Sequence, residues 1–232
     1  MEHEVSTITV WLNAAVGSVL GHEAHLPDQG VMAWFIVVLS AVVFIPLSRR
    51  FSVDEPGAVQ QMLEIGVESI NAMLDGFIGP GGRKYFPVMG GFAFFILASN
   101  LITNVPGFQP PTGDLNTTVA LGVMSFAYYN FIGIRAQGGA YFKQFVGDPL
   151  YLAPLMIPIE ILSHLSRPLS LSIRLFGNIF AEHTLAGVFF ILFPVGLPLV
   201  FAPLGVFVAF MQTFVFVMLS MVYIAGALEH GH

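Results

Sequence analysis

The sequence has no cysteine and very little charge. None of its 232 residues is cysteine and only 9% are charged, against about 25% in an ordinary soluble domain. The missing cysteine excludes disulfide frameworks, thiolate zinc sites and cysteine nucleophiles. With a hydrophobic content of 56%, the chain has too few charged side chains to cover a soluble surface. It is therefore predicted to be an all-α integral membrane protein that lies in a lipid bilayer.

Motifs for nucleotides, nucleic acids and metals are missing as well. The Gly-rich run at 79–84 lacks the spacing of a phosphate-binding loop. A formal net charge of -6 argues against a nucleic-acid partner, which would need a basic face. No His-Glu-x-x-His or similar metal-binding spacing occurs. We therefore expect no nucleic acid, no cofactor, no metal and no nucleotide site in this chain.

Five stretches are apolar enough to enter a membrane, where a spanning helix needs about 20 mostly apolar residues. The first covers 31–47, and the next two form a helical hairpin within 85–134. A long apolar tract, 150–228, is broken by Pro194 and Pro198 into two helices. Since both exceed the length of a span, we expect them to be tilted and bent. The prediction is one membrane domain with about five inserted helices.

The segment 53–78 differs from these spans because acidic residues interrupt its apolar ones. Its apolar side chains recur at roughly helical spacing, with Glu64, Glu68 and Asp75 among them. This pattern predicts an amphipathic helix on the cytoplasmic membrane surface, where it can contact a partner subunit. A solvated linker helix is the alternative.

The basic residues indicate the orientation in the membrane. Six of the eight Lys and Arg residues fall in two loops that lie on the same side if the chain crosses five times: Arg49, Arg50, Arg83, Lys84, Arg135 and Lys143. The positive-inside rule assigns that side to the cytoplasm. The N-terminal segment 1–30 is then outside and the C terminus is cytoplasmic.

A line of polar side chains runs along the fourth apolar segment. At 100° per residue one face collects six of them: Glu160, His164, Arg167, Arg174, Asn178 and Glu182. An arginine at the bilayer centre costs about 2.5–3.5 kcal/mol, and it cannot escape this cost by losing its proton. Arg174 is therefore predicted to be functional. A structural arginine paired with Glu160 or Glu182 is the alternative.

Groups that exchange protons flank this fixed charge. Glu160 and His164 are predicted on the cytoplasmic side, and Glu182 with His183 on the outer side. A satisfied pair between Glu160 and His164 is the alternative for the inner group. In the fifth segment, Gln212 and Tyr223 share a face and need polar partners, for which the line of Arg174 is the natural candidate. A plain interhelical hydrogen bond remains open.

Residues 166–178, SRPLSLSIRLFGN, closely resemble the signature of subunit a of F-type ATP synthases. The resemblance also includes Asn100, the run 104–106, residues within 111–117, and Glu160 fourteen positions before Arg174. It implies a non-catalytic stator subunit that faces a rotor ring of c subunits and is held by peripheral-stalk b subunits. The transported ion would be a proton, with sodium as the alternative, across the inner membrane of a bacterium.

The resemblance also implies roles for single residues. Arg174 would separate two half-channels and attract the carboxylate of the ring. Asn178 and Gln212 match the polar positions of the family, whereas His183 stands where members have Glu or His, so Glu182 and His183 are treated as a pair. The predicted proton path comprises Glu160, His164, Ser170, Asn178, Glu182, His183, Gln212 and Tyr223. Candidates in the outer loop are Asn104, Asp114 and Asn116.

Two other classes of protein are alternatives to this prediction. An ion-coupled secondary transporter with an anion site at Arg174 would show internal repeats and discontinuous helices, and no repeat is visible. An intramembrane enzyme would need a nucleophile with a base. Serines lie near His164, but no nucleophile motif surrounds them.

Overall fold

The computed structural model of the chain describes residues 28–49, 51–52, 56–104, 110–139, 153–192 and 197–229, together with Thr9 and Tyr141. Six α-helices make up most of this part: α1 (Asp28–Ser48), α2 (Ala58–Phe77), α3 (Phe86–Leu101), α4 (Leu115–Gln137), α5 (Ala153–Leu192) and α6 (Leu197–Glu229). No strand occurs within these ranges. Most of the predicted outer segment 1–30 lies outside the described residues.

The connections between helices follow local sequence signals. The Asp114 carboxylate accepts a hydrogen bond from the Asn116 backbone N–H at 3.1 Å and so caps the N terminus of α4. Gly79 and Gly81 have φ angles of 84° and 97°, in the left-handed region that favours glycine. They separate α2 from the short 3-10 turn Gly82–Tyr85. The chain can therefore reverse sharply between α2 and α3.

The core lies where α3, α4, α5 and α6 meet. Helix α4 packs against both α5 and α6, and α3 packs against α6. Ile96, Leu175 and Phe216 are fully buried at this junction. Phe92 meets Phe216 edge to face, with the ring centroids 5.6 Å apart. The four helices therefore form one packed bundle.

Small residues allow α4 to approach its neighbours closely. A Cβ atom on Gly122 would lie 2.2 Å from Ser172 Oγ and 2.7 Å from the Pro168 carbonyl oxygen of α5. On the side of α6, Ser125 Oγ and Ser220 Oγ are 2.9 Å apart and share a hydrogen bond. Small and hydroxyl-bearing residues are typical of helix contacts inside membranes.

The last two helices are longer than is needed to cross a bilayer upright. Helix α5 has 40 residues and α6 has 33, or about 60 and 50 Å at 1.5 Å per residue. The hydrocarbon layer is about 30 Å thick, so tilting or bending is expected. By length and composition alone, two segments of the described chain could cross a bilayer, Leu115–Gln137 and Pro203–Leu228.

Helix α2 has two different faces. Val59 and Met62 are 57% and 76% exposed on its apolar side, while Glu64 lies on the polar side. After its end, Arg83 Nη2 forms an ion pair with Asp75 Oδ2 at 2.8 Å. The hydrogen bond and the charge of Asp75 raise the pKa of Arg83. The helix therefore has the amphipathic character predicted for 53–78.

Candidate functional site

The predicted polar line lies along one edge of α5. On one side of this edge the helix packs into the bundle through buried residues such as Leu175, and on the other it exposes Leu169 and Ile173. Arg174 lies on the edge and is exposed. It forms no ion pair and no hydrogen bond with any residue that the structure describes.

Both carboxylates of the same edge are too far away to pair with Arg174. Glu160 lies fourteen residues before it, which is about 21 Å along a helix, and Glu182 lies eight residues after it, which is about 12 Å. Both glutamates are half-buried. Within the described chain, the structure therefore shows no ion pair of Arg174 with Glu160 or Glu182, which was the alternative to a functional arginine.

The Asn178 and Gln212 side chains connect α5 with α6 one turn beyond Arg174. Asn178 Nδ2 donates a hydrogen bond to Gln212 Oε1. Gln212 is buried, with 3% of its surface exposed. The polar partner of Gln212 is thus a residue of the predicted line, although it is not Arg174. Because a buried amide needs such partners, the pair also fixes the two helices at this level.

A second polar contact lies at the same level of the bundle. A Cβ atom on Gly113 would be 3.6 Å from Ile179 Cγ2, so the turn before α4 touches α5 directly after Asn178. Next to this turn, Thr112 Oγ1 donates a hydrogen bond to Asn100 Oδ1 at 2.8 Å. Both Thr112 and Asn100 are buried. The end of α3 thus brings polar groups to the end of the bundle where Asn178 lies.

Three polar atoms around this contact have no hydrogen-bond partner among the described residues. They are Ser99 Oγ, Asn100 Nδ2 and Thr103 Oγ1, and all three are buried. Such atoms are rare in folded proteins, where buried polar groups are normally satisfied. Ser99, Thr103 and Thr112 are not among the site residues predicted from the sequence. The available signal was the group of hydrogen-bonding side chains at one end of an otherwise apolar span.

His164, predicted in the inner proton group, is buried between α4 and α5. Its Nε2 lies 3.0 Å from Asn130 Oδ1, which also accepts a hydrogen bond from the Tyr141 hydroxyl at 2.8 Å. The Tyr141 ring fits only because Gly133 lacks a side chain, since a Cβ there would lie 2.3 Å from Tyr141 Cε2. His164 therefore ties α5 to α4 and to Tyr141.

Tyr223, predicted in the proton path, contributes the face of its ring. The guanidinium carbon of Arg167 lies 5.3 Å from the centroid of this ring and 6.0 Å from that of Tyr129 on α4. The two tyrosine rings are 5.7 Å apart. Arg167 thus meets one aromatic ring from each of two other helices, two helical turns before Arg174.

The remaining predicted path residues lie on different sides of α5. Successive residues of a helix are about 100° apart, so Glu182 and His183 do not share a direction. Glu182 is half-buried and continues the polar edge, whereas His183 is exposed. Ser170 is exposed near Arg174. The structure therefore places Glu182, and not His183, on the edge that leads to Arg174.

The outer-loop candidates are not equivalent either. Asp114 is the cap of α4, as described above, and the Asn116 side chain is exposed. The side chain of Asn104 lies outside the described part of the structure. Among the described residues, no three His, Asp or Glu side chains lie close enough together to hold a metal ion.

Known proteins share this sequence over nearly its whole length. The family model described as "ATP synthase A chain" matches residues 30–225. The chain belongs to the ATP synthase A chain family. ATP synthase subunit a 1 of Syntrophotalea carbinolica is 48% identical over 200 residues, which cover 86% of this chain and 85% of that protein. ATP synthase subunit a of Trichlorobacter lovleyi is 41% identical over 217 residues, which cover 92% and 94%.

Membership of the ATP synthase A chain family confirms the resemblance that residues 166–178 indicated. It also confirms the predicted all-α membrane class, because every described helix belongs to the matched region at least in part. The match includes the whole polar edge of α5 and the Asn178–Gln212 contact. The roles of the single residues on this edge remain predictions.

Proposed function

We propose that this chain is the proton-conducting stator subunit of a rotary ATP synthase, in which Arg174 separates two offset half-channels. The observation that supports this proposal is the exposed Arg174, near the middle of a 40-residue helix and beside the exposed apolar residues Leu169 and Ile173. No described carboxylate pairs with it. A cation in this position needs a partner, and a carboxylate on a rotor ring of c subunits would provide one from another chain.

The chemistry of arginine suits a barrier between the half-channels. A proton that crosses the membrane releases about 2.3 kcal/mol for each 100 mV of potential. This energy becomes rotation only if no continuous chain of proton carriers spans the protein. Because the pKa of arginine is above about 12, Arg174 cannot pass a proton on. It would therefore block direct leakage while attracting the ionised carboxylate of the ring.

The outer half-channel is proposed along the end of the bundle where Asn178 lies. There Ser99 Oγ, Asn100 Nδ2 and Thr103 Oγ1 are buried without a partner among the described residues, at the same end of the bundle as the Asn178–Gln212 contact. Water would satisfy these atoms, since buried waters usually bind otherwise unsatisfied polar groups. Glu182, on the same edge, is the candidate proton acceptor of this half-channel.

The inner half-channel is proposed along the opposite end of the edge. Glu160 is half-buried and Ser170 is exposed there, whereas His164 is held by Asn130 and serves the contact between helices. Following the positive-inside rule, we place this end and the C terminus in the cytoplasm and the segment 1–30 outside. The setting would be the inner membrane of a bacterium, with the whole chain as one membrane domain.

The exposed apolar surfaces suggest where the other subunits bind. The face of α5 around Leu169 and Ile173 lies next to Arg174 and is assigned to the rotor ring. Helix α1 exposes Trp34, 72% accessible, on a separate surface. We assign this surface, together with the apolar side of α2 on the cytoplasmic membrane surface, to lipid and to the b subunits of the peripheral stalk.

Proton conduction by the membrane part of the complex tests the proposed function. Complexes containing this chain are purified, stripped of their soluble catalytic part and reconstituted into vesicles, and passive proton uptake is measured under an imposed potential. We expect a ring of small two-helix subunits to copurify and the proton conductance to require this chain. Equal conductance with and without the chain would contradict the proposal. Repeating the assay without sodium distinguishes the two candidate ions.

Removal of the Glu182 carboxylate is expected to slow the outer half-channel. Glu182→Gln should lower the rate of proton-driven ATP synthesis by roughly 100-fold or more, the scale of a lost proton-transfer group, because Glu182 lies on the polar edge. His183→Gln should have a smaller effect and the double variant the largest. The rates are measured in inverted membrane vesicles, with Glu182→Asp as the control that keeps a carboxylate. Negligible effects in all three variants would mean that the outer path runs elsewhere.

Loss of the Gln212 amide is expected to reduce proton flux less than loss of Arg174. Gln212→Leu leaves the Asn178 amide without its partner across the helices, which costs about 1–3 kcal/mol, but it leaves the charge of Arg174 in place. Passive proton conductance and synthesis rate are the measurements. Thr213→Val is the matched control, because among the described residues this buried neighbour bonds only the Ala209 carbonyl oxygen of its own helix, at 2.8 Å. A loss equal to that of Arg174→Ala would be inconsistent with the assigned role.

A further inference from the structure

We propose that Arg167 is a positioning residue, whose guanidinium is held by the rings of Tyr129 and Tyr223 and thereby fixes the rotation of α5 within the bundle. Only the consequence for Arg174 depends on the function proposed above. The contact itself joins three helices, because Tyr129 belongs to α4, Arg167 to α5 and Tyr223 to α6. We refer to these three residues as the aromatic clamp.

The distances in the aromatic clamp fit a cation–π interaction. The guanidinium carbon of Arg167 lies 5.3 Å from the Tyr223 centroid and 6.0 Å from the Tyr129 centroid, within the range of about 6 Å in which a ring attracts a cation. Arg167 forms no ion pair with a carboxylate of the described residues. Inside the described bundle, the guanidinium of Arg167 therefore faces the side chains of Tyr129 and Tyr223 and not a carboxylate.

The Tyr129 ring is held by its own neighbours, and the Tyr223 ring is half-buried beside it. Tyr129 is only 1% exposed, and its ring packs edge to face against Phe126 at 5.4 Å. Close to the rings, Ser125 and Ser220 hold α4 and α6 together through their hydroxyls, 2.9 Å apart. Helices α4 and α6 are thus joined directly at this level, and the clamp is one of the contacts that attach α5 to both of them.

A proline in α5 makes the contact of Arg167 with the two rings important for the side to which Arg174 faces. Pro168 follows Arg167 directly inside α5 and removes one backbone hydrogen bond, which is a common cause of helix bending. Arg167 and Arg174 are seven residues apart, so they share nearly one face of the helix, about 10 Å apart along its axis. A rotation of α5 at the clamp would therefore turn Arg174 towards the bundle or towards lipid.

A role of Tyr223 in the clamp and a role in proton relay depend on different parts of its side chain. A relay needs the hydroxyl, whereas a cation–π contact needs the electron-rich face of the ring. Tyr223→Phe keeps this face and removes the hydroxyl. Tyr223→Leu removes both. These two variants therefore separate the positioning role from the relay role.

ATP-synthesis rates of the whole complex in native membranes provide the first test, normalised to the amount of this chain. We expect Tyr223→Phe to stay within about twofold of the unmodified complex, and Tyr223→Leu and Arg167→Gln to lose about fivefold or more. Phenylalanines of increasing fluorination at position 223 keep the size of the ring but weaken its attraction for a cation, so the rate should fall with each added fluorine. Arg135→Gln, which removes an exposed cation near the end of α4, is the control for charge loss.

A disulfide assay reports the rotation of α5 independently of proton conduction. The chain contains no cysteine, so Gly113→Cys and Ile179→Cys introduce a single pair, and a Cβ on Gly113 lies 3.6 Å from Ile179 Cγ2. We expect Arg167→Gln and the most fluorinated variants to lower the yield of this disulfide several-fold, and Arg167→Lys to keep most of it.

Two results would overturn the aromatic clamp. One is a Tyr223→Phe complex as inactive as Tyr223→Leu, which would assign the role to the hydroxyl. The other is a disulfide yield that is unchanged across Arg167→Gln and the fluorinated series. If the disulfide follows the clamp while Arg174→Ala retains synthesis, the clamp stands and the proposed function fails. If Arg174→Ala is inactive and the disulfide ignores Arg167, only the clamp fails.

Discussion

Replacing Arg174 with alanine is expected to abolish proton-driven ATP synthesis and to make the membrane passively permeable to protons. The expected synthesis rate is that of vesicles without this chain. Both effects have one cause, because the same guanidinium would attract the ring carboxylate and interrupt the path between the half-channels. Alanine can do neither, and the small side chain would leave space for water between the two polar ends of α5.

The size of the expected loss follows from the missing partner of the ring carboxylate. Removing one member of a buried charge pair costs about 3–5 kcal/mol, because the remaining charge is left without compensation. A barrier raised by about 3 kcal/mol slows a step roughly 150-fold. An ionised carboxylate that cannot pass the stator would stop rotation driven by the proton gradient. Protons could still cross, since water could then connect the half-channels.

Arg174→Lys tests whether charge alone is sufficient. Lysine supplies a cation, but its pKa falls readily when it is desolvated, and it lacks the fork of donors that binds a carboxylate through two atoms. We therefore expect partial protection against leakage and a severe loss of synthesis. Synthesis and proton uptake are measured in the same vesicles, with Arg135→Gln as the control for an exposed charge. A synthesis rate in Arg174→Ala equal to that of the unmodified complex would refute the role of Arg174.

The helical class and the polar edge could be predicted because both depend on neighbouring residues in the sequence. Apolar runs of span length predict helices, and a period of 3.6 residues places Glu160, Arg174 and Asn178 on one face without any knowledge of the fold. The exposure of Arg174 at the border between the packed and the apolar face agrees with this pattern. The family itself could be predicted from the thirteen residues of 166–178.

Contacts between distant residues could not be predicted, because they depend on how the helices are aligned with each other. Nothing in the sequence near His164 indicates that Asn130 is its partner, 34 positions away. For the same reason, the sequence predicts a place for Tyr223 in the proton path but not the contact of its ring with Arg167. The buried hydroxyls of Ser99 and Thr103, which have no partner among the described residues, could not be predicted either, since burial of a hydroxyl is a property of packing and not of sequence.

A methyl group on Gly122 is expected to have the second large effect, through assembly of the bundle. Of the described glycines, Gly122 has the closest neighbour, since an added Cβ would lie 2.2 Å from Ser172 Oγ, and the Pro168 carbonyl oxygen is 2.7 Å away. Real Cβ atoms do not approach other atoms so closely, so Gly122→Ala must push α4 and α5 apart. Overpacking of this kind costs about 1–3 kcal/mol, and here it would also separate Asn130 from His164. We expect the amount of chain in the membrane to fall several-fold, measured by immunoblotting.

The two neighbours of Gly122 differ in how easily they can move, which makes the prediction specific. Ser172→Ala removes the hydroxyl at 2.2 Å, but the oxygen at 2.7 Å belongs to the backbone of Pro168 and cannot be removed. Adding Ser172→Ala to Gly122→Ala should therefore restore only part of the amount of chain in the membrane. Gly91→Ala is the control and should leave this amount unchanged, because nothing lies within 4 Å of the added atom. Full rescue would mean that the backbone contact can relax, and an unaffected Gly122→Ala would mean that α4 and α5 do not approach as closely as the structure shows. If the rescue is partial, the ATP-synthesis rate per assembled complex should stay low. The reason is that a displaced α5 would move Arg174 away from its position.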